Sequence, residues 1–450
     1  MAITVSAAMA VPATAAVPGP GVFGFGLNQY GELGDGTNTQ RNSPVPAGGG
    51  LAGASVTQVS AGGGTSAAVR SDGTAWVWGD NFYGQLGRGT AGGSWPWPNG
   101  VPYLYGGITQ VAVSSGGGDV YVVQQGVVKG WGLNGQGQLG NGTTADVPSP
   151  VLVAGLTGIV QVSAGPDYAL ALRNDGTVWA WGGNGNGQLG TGNTTGHLTP
   201  VRVPGLTGIT QVSASGSSFA VRSDGTLFAW GADSQGALGN GGIDLPAATP
   251  TKVAGLPRIV QVASGSEHTL ALTGYSGRVY AWGGNDAGQL GDGTTTQRLR
   301  PELTTLVGIT QIAASASESA AVRSDGTLLT WGNNSWGGLG QGTCCASNPV
   351  PAPVTSLRQV SQVALGSLYG LAVGSSAFVA VPSLAGDSTA AAAQQLQAVG
   401  LVLGTVNKAV DNMCNNLGTV MNQNPIAGTT VSFGSAVTIT IGTPPAHPCP

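Results

Sequence analysis

One short phrase returns seven times along this chain, at an interval near fifty residues. It begins at Phe25-Gly26, Trp78-Gly79, Trp131-Gly132, Trp181-Gly182, Trp230-Gly231, Trp282-Gly283 and Trp331-Gly332, with spacings of 53, 53, 50, 49, 52 and 49. Each aromatic-Gly pair opens a version of x-N-x-x-G-x-L-G-x-G, as in Trp131-Gly-Leu-Asn-Gly-Gln-Gly-Gln-Leu-Gly-Asn-Gly142. A fixed period of this size marks a repeat architecture, in which each unit buries its apolar face against its neighbours. The repeats therefore cancel the length-based count of about three ordinary domains for the 450 residues, because repeated units share one continuous core. Most Gly, Trp and Asp residues belong to that scaffold and not to chemistry.

Residues 159–192 show how one unit works. Ile159-Val-Gln-Val162 and Tyr168-Ala-Leu-Ala-Leu172 are short apolar strands, and Thr177-Val-Trp-Ala-Trp181 is a third. Asp175-Gly176 lies between the last two, and Asp-Gly between apolar runs is a strong hairpin signal because Gly supplies positive φ freely. The dipeptide recurs at Asp72-Gly73, Asp224-Gly225 and Asp325-Gly326. An Arg precedes each by two residues (Arg70, Arg173, Arg222, Arg323), placed to pair with Asp or to cap carbonyls. Trp at the end of a strand in repeat after repeat is a packing residue with one N–H to satisfy. Three or four short strands per unit, without helical periodicity, predict a β-propeller.

The chain ends predict closure. An I/V-x-Q-V strand precedes every phrase from the second onward, and a seventh, near residues 360–365, has no phrase after it. The first phrase, at 22–26, has no such strand before it. Each end carries the half that the other lacks, and joining them removes an exposed sheet edge.

Ile259-Val-Gln-Val-Ala-Ser-Gly-Ser-Glu-His-Thr-Leu-Ala-Leu272 with Val279-Tyr-Ala-Trp-Gly-Gly-Asn-Asp-Ala-Gly-Gln-Leu-Gly-Asp-Gly293 resembles a repeat of the regulator of chromosome condensation family. All seven units match, over about four fifths of the chain. The resemblance implies a seven-bladed propeller over residues 21–373. It implies less about function, since members serve as exchange factors, enzyme regulators and binding platforms.

After a linker at 374–378 the composition changes. Residues 379–382 predict a strand, and Asp387-Ser388 cap a helix over 389–399 that ends at Gly400. Strands follow at 401–406, 418–423 and 436–441. Val381-Pro-x-Leu384, Leu396-x-x-x-Gly400-Leu401, Gly418-x-Val420, Gln423-x-Pro425-x-x-Gly428 and Gly434-Ser-x-Val437 resemble a PASTA domain, placed at 379–443. That resemblance implies an extracellular position and association with peptidoglycan. Here there is one copy, with no charged helix face, and a Pro-rich tail at 444–450. The predicted fold class is thus mainly β: a seven-bladed β-propeller closed between its N- and C-terminal strands, plus a small α+β PASTA-like domain.

Charged residues make up 8% of the chain and the net charge is −4. No basic stripe collects phosphates, so nucleic acid is not an expected partner. No run of eighteen apolar residues predicts a membrane span. Residues 1–20 look like the back half of a secretory signal, with Ala13-Thr14-Ala15 as its cleavage site and no basic n-region. With the PASTA-like domain, this predicts a monomeric bacterial-type protein, secreted or cell-wall associated. The four Cys allow three full pairings: a bond between the adjacent Cys344 and Cys345 would be uncommon, and Cys414 with Cys449 would close a loop of about 35 residues.

Signals for chemistry are sparse. Gly135-x-Gly137-x-x-Gly140 and Gly185-x-Gly187-x-x-Gly190 are the repeat phrase itself and open no helix. Of three His, His268 occupies a strand position where related repeats have Tyr168 and Thr65, which is a structural pattern, and His197 and His447 lie in a loop and the tail. No catalytic, cofactor-binding or metal-binding residue is assigned. The irregular stretch at 91–105 holds Trp95, Trp97, Tyr103 and Tyr105. Pro between the two Trp bars a central strand and predicts a loop. Such aromatics suit contact with a protein or glycan, or else cover a blade edge. Trp336, where other repeats have small residues or Tyr, is the fifth candidate. The expected function is that of a non-enzymatic exported binding or scaffold protein, with propeller loops on a protein or glycan partner and the PASTA-like domain on peptidoglycan. The alternatives are a regulator or guanine-nucleotide exchange factor of a GTPase, and a hydrolase or lyase with an axial carboxylate site.

Overall fold

The computed structural model describes residues 20–243 and 246–446. The leader-like stretch up to residue 19, His447 and Cys449 lie outside them. The chain forms two compact units, 20–375 and 376–446 within the described residues.

The larger unit contains seven four-stranded antiparallel sheets, numbered here as blades 1 to 7 around the ring. Blades 2 to 7 are sequential meanders; blade 2, for example, runs from Val56–Gly62 through Thr65–Arg70 and Ala75–Asp80 to Ser94–Gly100. Blade 1 is assembled from both ends of the unit. Its order is Arg41–Pro46, Gly21–Gly26, Tyr369–Ser376, Leu357–Leu365. Gly21 pairs with Gly374 and Gly26 with Tyr369, with unbroken antiparallel register between them. The closure expected from the half-repeats at each end is therefore present.

The glutamine of the Q-V strand explains why the innermost strands form a ring. Gln58 Nε2 donates to Val111 O (3.0 Å) in the next blade, and Gln58 Oε1 accepts Val111 N (2.8 Å). Gln110, Gln161, Gln211, Gln261 and Gln311 repeat this two-bonded staple on Val162, Val212, Val262, Ile312 and Val363. The circle closes where Gln362 Oε1 accepts Val59 N at 2.7 Å. Each staple satisfies buried backbone groups that a blade alone would leave unpaired.

The repeat phrase supplies the second set of inter-blade contacts. The buried Asn, or Asp233 in blade 5, accepts the backbone N–H of the Leu five residues on, at 2.9–3.3 Å, in all seven units. That bond curls the loop so that its Leu points inward and the Gly after that Leu faces the following blade. The Trp of that blade then packs on the Gly: a Cβ on Gly140 would lie 2.8 Å from Trp181. The Trp indole N–H donates to the carbonyl just before the Leu, at 2.6–2.9 Å, in six units. In blade 1 the seventh aromatic is Phe25, which has no N–H to place and packs on Gly340 and Gly370. Each of these Trp is fully buried, and truncating one should cost about 3–5 kcal/mol. Every outermost strand contains Pro, such as Pro44, Pro148, Pro200, Pro250, Pro301 and Pro349, which withholds a donor from the exposed edge.

The smaller unit packs one helix, α1 (Thr389–Ala398), with a sheet ordered Val402–Val410, Ala436–Thr443, Val420–Asn424. Ser388 Oγ accepts Ala391 N at 3.2 Å as the N-cap. Gly400, at φ +77°, ends the helix, with Leu401 N donating to Leu396 O and Gly400 N to Gln397 O. Leu384, Ala392, Leu396, Val420, Val437 and Ile439 form its core.

Two expectations need correction. Cys344 and Cys345 are disulfide-bonded to each other, in the exposed loop after Trp331, where Cys345 takes positive φ. An open loop can adopt the backbone that a bond between neighbours requires. Trp95 and Trp97 are not in a loop: they lie on the outermost strand of blade 2, at the sheet edge, where Pro96 and Pro98 lose no ladder bond to another strand.

Candidate functional site

A four-stranded meander puts its first and third connections at one end and its second at the other. The upper face of the ring thus carries the loops between innermost and second strands and between third and outermost strands, which include the repeat phrase. The lower face carries the Asp-Gly hairpins and the links to the next blade. Opposite charges collect at the two faces. Asp80, Asp146, Asp167, Glu267 and Asp286 lie in upper loops, and among the described residues none has an ion-pair partner. Of the upper cations, Arg41 and Arg298 are bound to Asp35 (2.7 Å) and Asp292 (2.8 Å), while Arg88 lies over the Trp95 ring. Arg70, Arg173, Arg222, Arg258 and Arg323 sit at the lower face, three of them paired with their hairpin Asp.

The five aromatic candidates do not converge. Trp336 is on an upper loop of blade 7 and Trp95 starts the outermost strand of blade 2 near the same face, with the Arg88 guanidinium 5.2 Å from its ring. Trp97 turns onto blade 1, where its ring fills the space a side chain on Gly36 or Gly48 would need. It covers a seam between blades. Tyr103 and Tyr105 are on the lower face, 74% and 85% exposed.

Three further aromatics escaped the sequence reading. Tyr30, Phe82 and Tyr83 lie in the upper loops of blades 1 and 2, with the Phe82 and Tyr83 rings 4.9 Å apart and edge-on. The signal was available: Tyr30, Tyr83 and Trp336 all stand five residues after the repeat's leading aromatic. Blades 7, 1 and 2 are neighbours only because the ring closes, so the three are scattered in sequence and adjacent in the fold.

The acids that could do chemistry are in the seams. Asp119 and Glu318 are fully buried, and among the described residues neither carboxyl has a hydrogen bond of good geometry; the Tyr121 and Ser114 hydroxyls lie near Asp119 and the Leu368 backbone near Glu318. Burial pushes Asp119 up to about 7 and Glu318 well above the usual carboxylate range. Glu32 is buried as well; its Oε2 accepts Tyr30 N at 2.8 Å, its Oε1 has no partner, and burial raises it to about 7. His268 donates or accepts at Ser319 Oγ (2.8 Å), and burial lowers it to about 4. It belongs to the same series of seam positions as Tyr168 and Tyr369, whose hydroxyls bond Ser217 O and Thr65 O in the next blade. The axial cavity, about 270 Å³, is walled by the stapling Gln side chains and by Ser60, Ala112, Ser163, Ser213 and Ala263. The buried acids therefore serve the walls and not the axis. Among the described residues there is no cluster of three or more His, Cys, Asp or Glu able to hold a metal.

The family model for the RCC1-like domain matches residues 21–372, and that for the PASTA domain matches 379–443. The chain belongs to the RCC1-like domain family. The E3 ubiquitin-protein ligase HERC2 of Homo sapiens is 32% identical over 311 residues, covering 67% of this chain and 5% of HERC2. This RCC1-like chain thus spans a twentieth of that relative. Among solved structures, Prp20p of Saccharomyces cerevisiae superimposes with a TM-score of 0.71 at 22% identity, over 80% of this chain and 92% of Prp20p. Human WBSCR16 gives 0.70 at 24% identity, over 79% of this chain and 99% of WBSCR16. These likenesses establish the seven-bladed RCC1-like ring, joined here in one chain to a PASTA domain.

Proposed function

We propose that this chain is an exported, non-enzymatic binding or scaffold protein whose ring presents its upper loops to a protein partner while the PASTA domain associates with peptidoglycan. The observation that carries this is the pairing of the two domains in one chain. A ring whose core needs nothing from its loop tips can vary them for recognition. The axial lining of amides, hydroxyls and methyls offers no acid–base pair for a hydrolase or lyase. Prp20p is described as binding Gsp1p and histones, and regulation of a GTPase is the runner-up; export would separate the two. Incubating the full-length protein with purified bacterial cell-wall sacculi and sedimenting them tests the wall half: the protein should pellet with the sacculi, and recovery in the supernatant would contradict it. Fractionating the native host, with N-terminal sequencing of the protein, tests export.

A further inference from the structure

The same backbone slot, five residues after the leading aromatic of each repeat, holds Trp336, Tyr30 and Tyr83 in blades 7, 1 and 2, but Gln136, Asn186, Gln235 and Ala287 in blades 3 to 6. Blades 3, 4 and 6 keep the same Asn-to-Leu bond in this loop without an aromatic, so the fold does not require one there. Phe82, beside Tyr83, is 68% exposed; Trp336 is 46% exposed and Tyr30 39%. Tyr30 leans over Gly64 and Tyr83 approaches Gly118, each reaching toward the loop of the following blade. Equivalent slots on consecutive blades thus place exposed aromatics in a row along one side of the upper face.

Apart from the Asp35–Arg41 ion pair and Arg88, the charges around that row are acidic. Asp80 lies within it, accepting Phe82 N at 3.0 Å, and the exposed Asp286 and Asp146 flank it in blades 6 and 3. The face also carries its own example of how a cation sits there, in Arg88 over the Trp95 ring at 5.2 Å. Aromatic faces with nearby carboxylates select guanidinium and ammonium groups, through ring quadrupole and charge together. We propose that the upper rim of blades 7, 1 and 2 is the docking site for an extended polypeptide segment bearing Arg or Lys, with Trp336 and Phe82 as its anchors. This deepens the binding half of the proposed function and is independent of the wall half.

The test uses full-length protein and fluorescence anisotropy of a labelled Arg-Gly-Gly repeat peptide, with a Glu-Gly-Gly peptide of equal length and N-acetylglucosamine oligomers as competitors. The Arg peptide should bind saturably and weaken with salt, and neither competitor should displace it. Trp336→Ala with Phe82→Ala should weaken binding about tenfold or more, as truncation of two anchors does, with an unchanged melting temperature. Absence of binding by the Arg peptide overturns the proposal, as does binding that the double variant leaves intact. Displacement by the sugar oligomers would overturn it in favour of a glycan surface. Because sacculus sedimentation does not involve this rim, its outcome separates failure of the wall assignment from failure of the docking site.

Discussion

Glu32 stands where Gln85, Gln138, Gln188 and Gln289 stand in other repeats, just before the buried Leu. Each of those Gln accepts the backbone N–H two residues earlier through Oε1, and Gln85 also donates through Nε2 to Asp80 and Gly117 O. Glu32 keeps the acceptor half and has no amide for the donor half. Its carboxyl is held protonated in the fold up to about pH 7, while the unfolded chain ionises near 4.5. A raised folded value favours the fold below pH 4.5, and that stabilisation drains away as pH rises through about 7, by at most about 3 kcal/mol. Glu32→Gln should therefore raise the melting temperature at alkaline pH and flatten its decline between those values; thermal melts across pH check this. His268 has the opposite sign. As pH falls from 6.5 toward about 4 the unfolded chain takes up a proton that the buried ring refuses, so stability falls. His268→Tyr, the residue found at Tyr168 and Tyr369, should remove that acid-side loss. Trp97→Ala should destabilise the ring by about 1–2 kcal/mol because its half-exposed ring covers a seam, whereas Trp336→Ala should stay within about 0.5 kcal/mol. Sequence could not separate these two Trp, since each stands among Gly, Pro, Ser or Asn turn residues with no strand pattern around it.

At the scale of strands and loops, the phrase was legible because its residues act locally: Asn on its own Leu, Gly at the turns. The staples were hidden, since Gln at the third place of an apolar strand reads as an exposed polar residue and its partner lies about fifty residues away. The edge strand with Trp95 and Trp97 was misplaced for a related reason. Pro forbids a central strand but suits an outermost one, and only the sheet order distinguishes them. The staples give a direct comparison between the seam formed by the chain ends and an ordinary seam. Gln362→Ala and Gln161→Ala should lower stability by similar amounts, about 1–3 kcal/mol each, since each leaves a buried N–H of the next blade without its acceptor. Chemical denaturation of the two variants measures this, and a silent Gln362→Ala would mean that blades 1 and 2 are not stapled.

For the whole molecule, closure decides what the surface can be. Blade 1 takes two strands from each end of the unit, and it alone puts the blades that carry Trp336, Tyr30 and Phe82 next to one another. The acidic upper loops and the Arg-bearing lower hairpins are likewise a property of the ring, invisible in a chain with only 8% charged residues. The central claim is that the strand Gly21–Gly26 is a full member of this ring. Hydrogen–deuterium exchange on the full-length protein tests it most directly. The backbone amides of that strand that bond to Tyr369–Ser376 should be as protected as those of Tyr168–Arg173 in blade 4, and should open only with the ring as a whole. Rapid exchange confined to Gly21–Gly26, with blades 2 to 7 still protected, would contradict the closed ring and the recognition face that depends on it.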